Sequence, residues 1–193
     1  MKVGILSIAL GLILVLTSFL PVLADDTGTI TITMTGAEEV SITLDKTSWG
    51  PEDVEGSGIV SSDTIYLTSP PIEWCTLTVG GNCNVNTFIV GEDAKWIEHP
   101  AAYKWTLSTD GTNGDHIYGL WFRISGDTTR GPHGDGYVPI TTTQGEFWPY
   151  SGGSGSSLAP GDTKQFGLKL LTPTHSTGDR QMQTHVTISA AAA

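Results

Sequence analysis

Histidine, cysteine, clustered acids and tryptophan are the side chains whose spacing could do chemistry here. The five histidines are His99, His116, His133, His175 and His185. No two of them form the His-Glu-x-x-His pair that places two imidazoles on one helix face. A hydrolytic zinc needs three converging ligands and an acid–base residue, and no such set is legible. A nucleophile elbow needs Gly-x-Ser-x-Gly between a strand and a helix. Gly153-Ser154-Gly155 lies instead in a Gly/Ser tract over residues 151–157, which reads as exposed loop. The expectation is a protein without a catalytic site.

Three constellations remain. Asp110, Asn113 and Asp115 stand within six residues of a Gly-bearing loop, a density of hard oxygen donors that suits a structural Ca²⁺. The commoner reading is an Asx-rich turn. Asp127, His133 and Asp135 around Gly131 and Gly136 invite the same two readings. No other cofactor is indicated. The tryptophans are Trp49, Trp74, Trp96, Trp105, Trp121 and Trp148. Most should be core, because each buries a large apolar area. Trp96, before His99-Pro100, and Trp148, in Phe147-Trp148-Pro149-Tyr150 beside the Gly/Ser tract, are the candidates for exposed rings that stack on a glycan. Cys75 and Cys83 flank Gly80-Gly81-Asn82, which reads as the turn of a hairpin. An exported chain meets an oxidising compartment, so a disulfide across that hairpin is expected.

The elements that must position these residues read as strands. In residues 29–35, Ile30, Ile32 and Met34 alternate with threonines, the period of a half-buried strand. The alternation returns at 40–44, 59–68, 75–79, 83–90, 103–108, 116–124, 137–143, 164–171 and 181–189. In the last segment Met182, Val186 and Ile188 share one side. Residues 91–100 are the one stretch that reads as a short helical turn. Turn residues at 110–115 and a Gly-rich loop at 126–136 punctuate the chain. Short strands spaced by turns, with no helix long enough for a crossover, predict an all-β, antiparallel β-sandwich of jelly-roll type.

Composition agrees. The chain has 193 residues, with 24 glycines and 27 threonines but only 15% charged residues, which opposes a helical bundle. Its 20 acids against 9 Lys and Arg give a net charge of −11, a poor match for nucleic acid. Lys2, the uncharged apolar run 3–20, Pro21 and Val22-Leu23-Ala24 form a secretory signal with cleavage after Ala24. The rival is a retained anchor; either way residue 25 onward lies outside the cytoplasm. After cleavage no membrane contact is expected. The organisation expected is therefore 1–24 signal peptide, 25–36 N-terminal strand and 37–193 β-sandwich domain.

The C-terminal two thirds carry an ordered set of strands and turns. Trp105-Thr-Leu-Ser and Tyr118-Gly-Leu-Trp-Phe are followed by Leu158-Ala-Pro-Gly-Asp-Thr-Lys-Gln-Phe-Gly-Leu, then Thr172-Pro-Thr, and finally Gln183-Thr-His-Val-Thr-Ile-Ser-Ala. Over roughly residues 74–190 this resembles secreted prokaryotic β-sandwich surface proteins of the TasA/camelysin type, including biofilm-fibre and archaeal bundling-pilus subunits. The resemblance implies a structural role at the cell surface, as a subunit of a fibre, pilus or surface layer. Self-association would then run through the first strand: residues 30–35 of one copy pair with a sheet edge of the next, and Ile30, Ile32 and Met34 fill its pockets; the commoner arrangement is a strand that folds back onto its own domain. The alternative is a carbohydrate- or surface-binding module using Trp96 and Trp148.

Overall fold

A computed structural model describes residues 37–51, 60–68, 74–132, 135–149, 156–175 and 180–193. Signal residues 1–24 and the first strand, with Ile30, Ile32 and Met34, lie outside them. Among the described residues twelve strands form: β1 (Val40–Leu44), β2 (Ile65–Leu67), β3 (Cys75–Gly81), β4 (Val85–Gly91), β5 (Ala94–Trp96), β6 (Lys104–Leu107), β7 (Ile117–Ile124), β8 (Val138–Pro139), β9 (Gly145–Trp148), β10 (Thr163–Leu171), β11 (Met182–Gln183) and β12 (Val186–Ala192). The described residues contain no helix, so the chain is all-β. Among them, no helix is long and apolar enough to cross a membrane.

Nine strands make one strongly curled sheet in the order β1-β3-β10-β7-β6-β5-β11. β2 lies beside the C-terminal half of β10, and β8 beside β7. The other three make a small sheet, β12-β4-β9. The core lies between the sheets. Leu77 and Val79 of β3 and Val85 and Ile89 of β4 point into it, as their alternation requires. Phe147, fully buried on β9, stacks on Phe122 of β7 with centroids 5.2 Å apart. It meets Phe166 of β10 edge-on at 5.1 Å. These three rings join the small sheet to the large one.

Four expectations need correction. First, the strands are not all antiparallel: β6 and β7 pair parallel, Thr106 opposite Ile117 and Leu107 opposite Tyr118, so the large sheet is mixed. A plain turn over 110–115 would have given a hairpin. The chain reverses twice instead, at Ser108–Gly111 and again at Gly114–Ile117, where His116 takes a φ of +56°. Two reversals restore the original direction. Second, residues 94–96 form a strand rather than a helical turn; Lys95 and Trp96 pair with Gln183 and Met182. Third, residues 181–189 are two strands. The chain leaves the large sheet after Gln183 and joins the small one at Val186.

Fourth, the segments around Gly80-Gly81 form no hairpin. β3 lies in the large sheet and β4 in the small one, so the chain arches between layers. Gly81 takes a φ of +79°, and a Cβ there would stand 2.0 Å from the Glu39 carbonyl. Asn82 clasps the start of β1: its amide donates to Ala37 O, and its side-chain oxygen accepts from the Glu39 N–H. The arch carries Cys75 and Cys83 to opposite ends of β3. Seven residues of strand separate them by about 20 Å, and the two residues after Gly81 reach back only about 7 Å. A bridge needs Cα atoms within about 7 Å. The structure forms no disulfide between them: Cys75 is buried and Cys83 half-buried, with Cys83 Sγ 3.5 Å from the Glu39 carbonyl. Non-reducing mass spectrometry of the native protein is expected to find no intramolecular bridge, and an alkylating reagent should modify Cys83 well before Cys75. Equal labelling rates would contradict this burial order.

Candidate functional site

Trp148 ends β9 at the rim of an open groove of about 600 Å³. Alternation places Phe147 inward, so the next ring is left half-buried at the surface. The indole N–H donates to Ser156 O at 3.0 Å, which fixes the ring plane. Lys164, on β10 of the large sheet, holds its ammonium 3.9 Å from the indole centroid, a cation–π contact. Thr76, Thr128, Thr129, Thr163 and Gln165 line the rest with hydroxyl and amide groups. Asp127 also lines the groove, but its carboxylate is engaged within. Oδ1 accepts the N–H groups of Thr129 and Arg130, and Oδ2 lies 3.2 Å from Arg130 Nε.

Trp96 stands elsewhere, on β5. It meets His99 edge-on at 4.5 Å, and the Arg180 guanidinium lies between its ring and that of Tyr103, at 5.1 and 4.5 Å. Tyr103 in turn bonds His116 Nδ1 at 2.6 Å. The two aromatic positions picked out in the sequence stand on different sheets, Trp96 on β5 of the large one and Trp148 on β9 of the small one, so they form two surfaces rather than one platform. Of the two, Trp148 is the one that lines this groove.

The oxygen-rich loop is built as a turn. Asp110 Oδ1 accepts from the Ser108 hydroxyl and from the N–H and hydroxyl of Thr112. Hydrogen bonds from Thr112 and Ser108 hold its carboxyl down at about 2. Asn113 turns its amide nitrogen to Asp63 Oδ1 and Thr172 O, each at 2.8 Å, and so ties three loops together. Asp115 stands 3.5 Å from His116 Nε2. Among the described residues no three His, Cys, Asp or Glu side chains group as a metal site. Asp110 gives a pH prediction. Its folded-state pKa lies below the ordinary 3.8, so the stability it contributes is present above that value and is lost as pH falls towards 2. Thr112→Val should raise the Asp110 pKa, read by carboxyl NMR titration; an unchanged value would show that the Thr112 hydroxyl is not its support.

The Gly-rich loop over 126–136 also holds something composition does not reveal. On the outer face of β7 and β10, aromatic rings and cations alternate. The Arg123 guanidinium sits 5.3 Å from the Trp74 centroid and 4.9 Å from that of Tyr137. Lys169 Nζ sits 4.4 Å from both Tyr137 and Trp121, and Asp135 faces it at 3.4 Å. Trp121 fits because Gly119 has no side chain: a Cβ there would stand 2.2 Å from Gly111 O and 2.6 Å from the indole. Asp127 and Asp135 therefore serve as anchors of this loop, and His133 lies outside the described residues. Lys164, Arg123 and Lys169 carry no sequence signal of their own, because each meets its ring across strands distant in the chain.

No protein-family model matches the chain, and no curated protein matches it.

Proposed function

We propose that the protein is a secreted structural subunit of the cell surface, one copy joining the next in a fibre, pilus or surface layer by strand addition. The observation that supports this reading is a pair of sheet edges that are open among the described residues. β1 ends the large sheet and β12 the small one, and the two approach each other without forming a ladder. Among the described residues β1 pairs only with β3, and β12 only with β4. Their core-facing side chains, Ile42 and Leu44 on β1 and Val186, Ile188 and Ala190 on β12, are only partly buried. An edge of this kind offers backbone N–H and C=O groups to another strand. Residues 29–35, with Ile30, Ile32 and Met34 alternating, have the pattern to occupy it. The reading assigns the chain no catalytic step.

Deletion of residues 25–36 tests it. The shortened protein is expected to stay folded and monomeric, to form no filaments by negative-stain electron microscopy, and to bind an added peptide of residues 27–36. Ile32→Asp should block elongation in the same way, since it places a charge against an apolar edge. A full-length protein that stays monomeric at high concentration would overturn the reading, as would a deletion that unfolds the domain.

The groove at Trp148 favours a second reading, a glycan-binding surface module. A fixed indole beside several hydroxyl and amide groups suits a sugar, whose apolar face stacks while its hydroxyls exchange hydrogen bonds.

A further inference from the structure

We infer that the Trp148 groove selects acidic sugars, with Lys164 as the residue that reads the acid; this rests on the glycan-binding reading above. The argument begins with charge. Lys95, Lys104 and Lys169 face carboxylates at 3.9, 2.8 and 3.4 Å. Lys164 has no ion pair within 4 Å among the described residues, although the chain carries a net charge of −11. What holds its ammonium is the face of Trp148.

The groove's own acid does not cancel that charge. The Asp127 side chain is 9% exposed, and both its oxygens are engaged by Thr129 and Arg130. The nearby Asp45 carboxylate is taken by the Thr76 N–H at 2.6 Å. Among the described residues the groove therefore presents one cation, Lys164, backed by an aromatic ring, beside neutral hydroxyl and amide groups and an Asp127 carboxylate already paired with Arg130. An ammonium on a ring face keeps donor hydrogens directed away from the ring. A carboxylate entering the groove meets them, and the charge-assisted bond that results is stronger than one between neutral groups. The threonines and Gln165 are placed for the remaining sugar hydroxyls. A uronic-acid residue supplies both kinds of group; a neutral hexose supplies only the second.

The test compares a galacturonic-acid tetramer with its fully methyl-esterified form on the full mature chain, following the Trp148 indole N–H by NMR. The acid is expected to bind about tenfold more tightly than the ester at low salt, and high salt should erase much of that preference. Lys164→Gln should bring the acid down to the level of the ester measured on the same variant. Equal binding of acid and ester by the unmodified protein, or an acid preference that survives Lys164→Gln, would overturn this inference and leave the glycan reading standing. Binding of neither tetramer would remove the glycan reading and the inference with it. The comparison of probes on the unmodified chain does not depend on any variant folding.

Discussion

Phe147→Ala is expected to destabilise the protein by about 3–5 kcal/mol, the range for truncating a fully buried aromatic ring. Phe147 has no solvent exposure, and it is the small sheet's contact with both Phe122 and Phe166 of the large one. Strands β4, β7 and β10 are held by ladders on either side, so the backbone has little freedom to collapse into the space left behind. Phe147→Leu keeps most of the volume and should cost markedly less. Chemical denaturation reads both: the midpoint should fall while the slope stays constant, because the surface exposed on unfolding hardly changes. The next residue is Trp148, so the alanine variant should also disturb the groove, seen as a shifted indole N–H resonance. A loss below about 1 kcal/mol would mean that the small sheet does not depend on this ring for its docking.

The second large effect lies at the Asp127–Arg130 pair. Both side chains are almost fully buried, 9% and 11% exposed, and the Arg130 guanidinium also lies 4.9 Å from the Phe122 centroid. Asp127→Ala leaves that guanidinium in a low-dielectric setting without its carboxylate and takes the acceptor from two backbone N–H groups. A loss of about 3–5 kcal/mol follows, since breaking a buried pair costs far more than the pair contributes. Asp127→Ala combined with Arg130→Met should recover a large part of it, because the stranded charge is then gone. If the double variant is as unstable as the sum of its parts, the cost resides in the loop's backbone bonds rather than in the buried charge. The same loop forms one wall of the groove, so Asp127→Ala should also weaken any ligand bound beside Trp148.

The alternation of Cys75, Leu77 and Val79, and of Phe166, Leu168 and Leu170, was enough to read strands and their inward faces, and turn residues located most of the breaks. Local pattern was weakest where strands are shortest. Ala94–Trp96 and Gly145–Trp148 are three and four residues long, too short for a period to declare itself against helix or loop. Trp148 was legible as a candidate for exposure because it stands beside a tract that cannot be buried. The disulfide expectation failed on a point that spacing cannot supply: Gly80-Gly81 permits either a hairpin within one sheet or an arch between two.

Sequence alone therefore determined the all-β class of structure, the inward faces of β3 and β10, the excess of acids and the two candidate aromatic positions; on β4 it grouped Val85 with Phe88 and Val90, whereas Val85, Thr87 and Ile89 are the buried set. Period-two alternation specifies which way a side chain points and carries no information about which strand lies next to it. Only tertiary structure decided that β3 and β4 belong to different sheets, that β6 and β7 run parallel, and that β1 and β12 are edges among the described residues. It also decided what meets what across those neighbours: Lys164 comes to Trp148 from 16 residues away, and Lys169 to Trp121 from 48. Such encounters depend on register between strands, which is settled when the two sheets close over a shared core.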